Sequence, residues 1–247
     1  MKMKLGCKIG VGNTAEVYEW GNGRIIKLFN TNYPTAAVER EYMNARSIKN
    51  LNFWKAREHG IVTYGDRTGI VYDRLEGESL VDYLMRTGDI PKTVVAMTGL
   101  HNAILDQEMF DDNIPYYKKF LNEHIGQNPQ LTDEQKEDYH KKVSSLPDDS
   151  QLCHGDFHPG NIILTEKGAA VIDFMNICRG PRLYDVARTY FLLNSPPPFD
   201  PGEEREQFEQ ARKQMVDEYL ASMRVMPEEL VDYLEVIEAA RKSEELS

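Results

Sequence analysis

The sequence predicts an α+β protein of two lobes, a small N-terminal lobe of antiparallel strands with one helix and a larger, mostly helical C-terminal lobe. Three observations carry this expectation. Up to about residue 75, short apolar runs alternate with glycine-containing turns, the texture of hairpins. Beyond Glu76-Gly77-Glu78 the apolar residues recur at helical spacing. Inside that helical stretch, residues 151–174 form a loop followed by two apolar runs, Ile162-Ile163-Leu164 and Ala169–Ile172, joined by a turn at Lys167-Gly168. The expected division is 1–77 and 78–247.

Taken in order, Lys4–Val11, Ala15–Trp20 and Arg24–Phe29 read as strands, with a hairpin turn at Gly21-Asn22-Gly23. Pro34 opens a helix to about Lys49, since proline loses no hydrogen bond in a first turn. Two more strands follow at Ala56–Tyr64 and Gly69–Leu75, separated by Gly65-Asp66-Arg67-Thr68. Helices are expected at Ser79–Arg86 and Lys92–Glu108. Thr132-Asp133-Glu134-Gln135 has the form of a capping box opening another. After Pro147-Asp148-Asp149-Ser150 comes the insert, then a helix at Tyr184–Leu193. Ser195-Pro196-Pro197-Pro198 breaks it, and two long charged helices close the chain. No internal repeat is evident.

Bulk properties exclude more than they assign. Of 247 residues, 41% are hydrophobic and 28% charged, the balance of a globular protein. No apolar run approaches the ~20 residues of a membrane helix, so no membrane partner is expected. The basic start ends on Cys7, placed like a lipid-attachment cysteine, yet lacks the apolar stretch of a signal peptide, so export is not expected. Cys7, Cys153 and Cys178 are too scattered for a disulfide framework or a metal knuckle, which fits a reducing cytoplasm. The formal net charge of -11 repels nucleic acid. It could attract a cationic small molecule, and serves solubility equally well. Oligomeric state is left open.

The chemistry concentrates in His154-Gly155-Asp156-Phe157-His158-Pro159-Gly160-Asn161 and the returning Ile172-Asp173-Phe174. Phosphoryl transfer needs a carboxylate to orient and deprotonate the attacking hydroxyl, and oxygen ligands for a metal bridging the phosphates. Asp156 supplies the first. Asn161, across a loop tightened by Pro159 and Gly160, and Asp173, returned by the hairpin, supply the second. The two histidines lack a cysteine or third histidine at zinc spacing, so His154 and His158 are expected to hold the loop by hydrogen bonds.

The His-Gly-Asp-x-His-x-x-Asn loop and the Ile-Asp-Phe that follows resemble the signature of the aminoglycoside phosphotransferase and choline kinase-like family, relatives of the protein kinases. The resemblance runs from Gly10 to Arg188 and implies the two-lobed protein-kinase-like fold. It implies ATP as phosphoryl donor, with GTP the other candidate, and Mg²⁺ as cofactor. Asp156 would be the catalytic base, and Asn161 and Asp173 the metal ligands. Gly10-Val11-Gly12-Asn13-Thr14-Ala15 reads as the nucleotide-covering loop, so Gly10, Gly12, Asn13 and Thr14 are candidate nucleotide contacts. It lacks the Gly-Lys-Ser/Thr end of a Walker loop, a strand follows it, and Ala15 replaces a third glycine.

Lys27, flanked by apolar residues on a strand, is costly to turn inward unless it meets phosphate and a carboxylate. Glu41 is the expected partner, with Glu39 as the alternative. Asp73 to Leu75 resemble the lobe connector whose backbone meets adenine. Leu100-His101 resembles a helix-borne pair of the family, and His101 is expected to be a satisfied core histidine. Asp185 matches a family acid that braces the loop. About ten residues separate Phe174 from the Tyr184 helix, too few for a regulatory activation loop, and no Ala-Pro-Glu element follows. A kinase acting on a hydroxyl of a small molecule is therefore expected; an atypical protein kinase or an inactive nucleotide-binding scaffold are the alternatives. Glu203, Glu204, Asp217 and Glu218 could receive a cationic acceptor, although a solvated helix face explains them better.

Overall fold

The computed structural model describes residues 5–196, 202 and 205–244. The N-terminal lobe is a five-stranded antiparallel sheet in the order β1-β2-β3-β5-β4, built from β1 (Lys8–Val11), β2 (Ala15–Gly21), β3 (Arg24–Phe29), β4 (Glu58–Tyr64) and β5 (Arg67–Asp73). Helix α1 (Thr35–Ser47) starts after Pro34 and packs on β4 and β5. The period of two along β3 decides what happens to its lysine. Ile26 and Leu28 point to one face, where they pack with Trp20 and Val71. Ile25 and Phe29 point to the other, into the main core, and Lys27 shares that face.

Strand β5 begins two residues earlier than the sequence suggests. The turn is only Gly65-Asp66, because Tyr64 pairs directly with Arg67 and Thr63 with Thr68. Strand β5 also ends at Asp73, where the chain leaves the ladder and the N–H of Arg74 bonds to the carbonyl of Gly23 at 2.9 Å.

Residues Gly77–Ser79 form β6, which pairs with a strand of the insert rather than with the first sheet. Ser79 then caps α2 (Leu80–Thr87) by accepting the Asp82 N–H at 3.1 Å. Helix α3 (Ile90–Leu105) stops short of the expected Glu108. Past Leu105 the backbone is drawn sideways: Leu152 N–H bonds Gln107 O at 2.8 Å and Met109 N–H bonds Ser150 O at 2.7 Å. Helix α4 (Tyr117–Gln127) has no strong sequence signal. It has no side-chain cap, and only Tyr117, Leu121 and Ile125, spaced by four, mark its buried face. Helix α5 (Asp133–Ser145) carries the expected capping box of Thr132 and Gln135.

The insert supplies β7 (Gln151–Cys153), a 3-10 turn at Pro159–Asn161, β8 (Ile162–Thr165), β9 (Gly168–Val171) and β10 (Cys178–Gly180). Strands β6, β8 and β9 make one small sheet; β7 and β10 make another. Helices α6 (Arg182–Asn194), α7 (Arg205–Met223) and α8 (Val231–Glu244) complete the chain. The expected break at Ser195-Pro196 continues into Pro197 and Pro198, which lie outside the described residues, as do Met1 to Lys4. Among the described residues no helix is long and apolar enough to cross a membrane.

Gly69 is required by close approach. A Cβ there would lie 2.8 Å from both Ile26 Cγ1 and the carbonyl oxygen of Lys27. Gly69→Ala should therefore destabilise the protein by about 1–3 kcal/mol, the usual scale of overpacking. A chemical-denaturation midpoint equal to that of the wild type would refute this packing.

Candidate active site

Two parts of the chain far apart in sequence meet at the Lys27 ammonium. It lies 2.9 Å from Glu41 Oε2 and 3.0 Å from Glu41 Oε1, and 3.0 Å from Asp173 Oδ2. Glu41 is fully buried, whereas Glu39 is exposed, so the helix period alone separates the two candidates. Burial opposes the charge of Lys27, but Asp173 and Glu41 outweigh it and hold its pKa above the ordinary value. Burial also pushes Glu41 up against the pull of Lys27. Asp173 is held below its usual range, because the nearby ammonium overcomes the cost of burial.

Two side chains that the sequence did not announce, Tyr72 and Asn44, fix α1 in this position by three hydrogen bonds. The Tyr72 hydroxyl donates to Glu41 Oε1 at 3.0 Å, and Asn44 donates to the carbonyls of Phe174 at 2.8 Å and Met175 at 3.1 Å. Asn44 follows Glu41 by three residues and so shares its face. That polar residue on a buried face was the available signal. Tyr72 gave none, since a tyrosine in a strand is ordinary.

The loop before Asp156 turns through Gly155 at φ 75°, where a Cβ would strike the Asn176 carbonyl oxygen at 2.2 Å. Only glycine fits both demands. Asp185, at the start of α6, accepts the N–H groups of His154 at 2.6 Å and Gly155 at 2.8 Å, and lies 3.1 Å from His101 Nε2. Arg188, one turn on, donates to Gly155 O at 2.9 Å. Burial would raise the pKa of Asp185, yet the His101 donor outweighs it and keeps the carboxyl below its usual value.

His154 joins the two chemical segments. The N–H of Asp156 points to its Nδ1 at 3.3 Å, and its Nε2 meets the Ile172 carbonyl at 3.2 Å. That pattern requires a neutral ring protonated on Nε2. Burial lowers the His154 pKa in the same sense, despite Asp185, Asp156 and Asp173 nearby. His158 accepts the Gly160 N–H at 3.1 Å and places Nε2 3.8 Å from Asp156 Oδ2.

Asn161 donates through Nδ2 to Asp156 O at 2.9 Å and Asp156 Oδ2 at 3.2 Å, which leaves its side-chain carbonyl oxygen as an acceptor. The N–H of Ile172 bonds to Asn161 O at 3.0 Å, and Ile162 pairs with Val171, so the hairpin returns Asp173 beside Asn161. Asp173 sits at φ 65°, a left-handed conformation costing a non-glycine residue about 1–3 kcal/mol. The Lys27 ion pair holds it there.

Gly10 lies in β1, and Gly12, Asn13 and Thr14 make the turn into β2. Asn30 ties this turn down by bonding Asn13 O at 3.0 Å and Thr14 O at 2.9 Å. A Cβ at Gly10 or Gly12 would make ordinary contacts at 3.5 Å, so the hairpin itself demands neither glycine. At the end of β5, Asp73 spends its N–H on Arg57 O at 2.9 Å and its carboxylate on His59 Nε2 at 2.6 Å. Among the described residues no backbone carbonyl takes the N–H of Leu75. On α7, Asp217 is exposed and Glu218 accepts from Gln214 at 2.8 Å, as on a solvated face; Glu203 and Glu204 lie outside the described residues.

Removing Lys27 would leave Glu41 buried with a single neutral donor. Lys27→Met should cost about 3–5 kcal/mol of stability at pH 7. The deficit should narrow between pH 7 and pH 5, because in the variant Glu41, buried without the ammonium, takes up a proton at higher pH than in the wild type. The contribution of Asp173, whose pKa is depressed, is constant over that range and is lost only at lower pH. Denaturation at pH 7 and pH 5 measures it; a deficit that grows on acidification would contradict the pairing.

No curated protein matches the sequence. Among solved structures, the amicoumacin kinase hAmiN in complex with AMP-PNP, Ca²⁺ and Ami is 15% identical with a TM-score of 0.63, covering 98% of this chain and 80% of its own. An aminoglycoside-3'-phosphotransferase of type VIII is 17% identical with a TM-score of 0.63, over 96% and 93%. A choline/ethanolamine kinase family protein from Mesorhizobium loti is 12% identical with a TM-score of 0.61, over 99% and 79%. At such identities these structures establish the fold alone. The family model described as "Phosphotransferase enzyme family" matches residues 7–225, most of the sequence, and the chain belongs to that family.

Proposed function

We propose that this protein transfers the γ-phosphoryl group of MgATP to a hydroxyl of a small molecule, with Asp156 as the base. The observation that carries the reading is the Lys27–Glu41–Asp173 cluster joined through the hairpin to Asn161 and Asp156. In the step, the acceptor oxygen bonds to the γ-phosphorus, the bond to the ADP oxygen breaks, and the acceptor proton passes to an Asp156 carboxylate oxygen. Lys27 balances phosphate charge, and fixed positions rather than covalent chemistry supply the rate.

The cluster fits a metal. One ammonium and two carboxylates leave it one negative charge in excess, on the side where Asp173 keeps 34% of its side chain exposed. The free carbonyl oxygen of Asn161 adds a second hard donor. Mg²⁺ typically takes one or two protein oxygens and completes its shell with phosphates and water. Among the described residues no cluster of three or more His, Cys, Asp or Glu could hold a metal ion by itself. A metal bound here would neutralise charge developing on the phosphates.

For the nucleotide, Gly10 and Gly12 make sense as room for phosphate, since the hairpin does not need them. Asn13 and Thr14 lie in the turn beside them, and the unclaimed N–H of Leu75 suits the edge of adenine, beside Asp73. GTP would require a different edge at the same backbone. A lobe boundary near Gly77 belongs to the same reading. A small acceptor is favoured by the short path from Phe174 to α6, part of which β10 already occupies by pairing with β7. The cysteines are free thiols, as a cytoplasmic protein would carry them.

Isothermal titration should show MgATP binding. Asp156→Asn should retain that affinity while turnover, over a panel of hydroxylated amines, sugars and amino-acid derivatives, falls roughly 10²–10⁴-fold. Undiminished turnover in Asp156→Asn would remove Asp156 as the base. Absence of any nucleotide binding would remove the proposal.

A further inference from the structure

The buried polar groups around Asp185 continue outward in a direction that loop chemistry does not explain. His101 of α3 is fully buried, and both ring nitrogens are engaged: Nε2 with Asp185 Oδ2 at 3.1 Å and Nδ1 with the Tyr219 hydroxyl at 2.8 Å. Tyr219 comes from α7 and is itself fully buried. The His101 ring lies flat against Phe157 of the catalytic loop, centroids 4.2 Å apart and planes 22° apart. Thus α3, α6, α7 and the loop meet around one imidazole.

Chemistry sets the direction of each bond. An ionised Asp185 can only accept, so Nε2 carries a proton, and in a neutral ring Nδ1 then offers a lone pair. That lone pair needs a donor, and the Tyr219 O–H is there to give one. Burial keeps the phenol protonated. Without the phenol, the imidazole could hold its proton on Nδ1 and turn a lone pair toward the Asp185 carboxylate, which would repel it. Asp185 is the group that holds the His154 and Gly155 N–H groups immediately before Asp156.

We propose that Tyr219 is a positioning residue for the catalytic loop, fixing the tautomer and plane of His101 so that Asp185 holds the backbone leading to Asp156. It acts on the reaction through two other side chains and touches no reactant. This rests on the reading of Asp156 as base. It also makes α7 a tie between the C-terminal helices and the reacting centre, so displacement of α7 would be felt at Asp156 without passing through the nucleotide.

Tyr219→Phe keeps the buried ring and deletes only the hydroxyl. The probe reaction is hydrolysis of MgATP, with water as acceptor and ADP and inorganic phosphate as products, so no acceptor need be known. The expected result is a kcat lower on the order of tenfold or more, as small misplacements of reacting groups produce, with KM for MgATP within about twofold. In ¹⁵N spectra, wild-type His101 should be neutral with its proton on Nε2, and the Nδ1 signal should move in Tyr219→Phe.

A kcat within twofold of wild type in folded Tyr219→Phe would overturn the proposal, as would a fall in kcat that merely tracks the folded fraction. If the variant does not fold, the wild-type spectrum still decides, because a proton on Nδ1 of His101 is incompatible with the tie. Asp156→Asn, assayed alongside, separates the two ideas. Slow Tyr219→Phe with unimpaired Asp156→Asn sinks the base, and with it the claim that the tie acts through Asp156; the converse keeps the base and sinks the tie.

Discussion

One ammonium group placed between two carboxylates organises this molecule. Lys27 comes from the central strand of the first sheet, Glu41 from the helix behind it, and Asp173 from a hairpin more than a hundred residues later. A charge so enclosed is tolerable only when its partners are close and themselves satisfied. The surrounding bonds follow from that constraint. Tyr72 supplies Glu41 with a further donor, and Asn44 fastens α1 to the residues just after Asp173. The ion pair, in turn, holds Asp173 in a left-handed backbone conformation that it would not choose alone.

The second half of the site is held differently. The loop carrying Asp156 is irregular, and its backbone groups have no sheet or helix partners to satisfy them. Asp185 and Arg188, one helical turn apart on α6, take this role by receiving the N–H groups of His154 and Gly155 and by donating to the Gly155 carbonyl. His154 then spans from Asp156 to Ile172 with a single neutral ring. Buried polar networks of this kind rigidify only when every member is satisfied. Here Asp185 and Arg188, which hold the backbone leading to Asp156, are anchored in α6, while Asp156 itself keeps about a quarter of its side chain open to solvent.

Much of this was legible beforehand where local rules suffice. The bounds of β3, the capping box of α5 and the hairpin that returns Asp173 all depend on neighbours a few residues apart. The candidate residues stand out in the sequence because their types and spacing match a chemical demand, and because the loop resembles a known signature. Where the fold departs from the local pattern, the reason is long-range or weak local signal. The ends of β5 and α3 are set by hydrogen bonds to distant carbonyls, at Gly23 for one and Ser150 for the other. Helix α4 lacks a cap, and its three buried residues form a stripe too sparse to stand out.

The sequence by itself determined which residues could do chemistry and which face of its own strand or helix each occupies, because side-chain direction follows from the period of the backbone. It placed Lys27 opposite Ile26 and Leu28, and Glu41 apart from Glu39. Only the tertiary structure decided which faces meet. That Tyr72 reaches Glu41, that Asn44 reaches Phe174, and that Tyr219 reaches His101 across 118 residues depend on how helices and sheets pack to bury apolar surface. Packing of that kind is settled by the whole core at once, so no local pattern of residues records it.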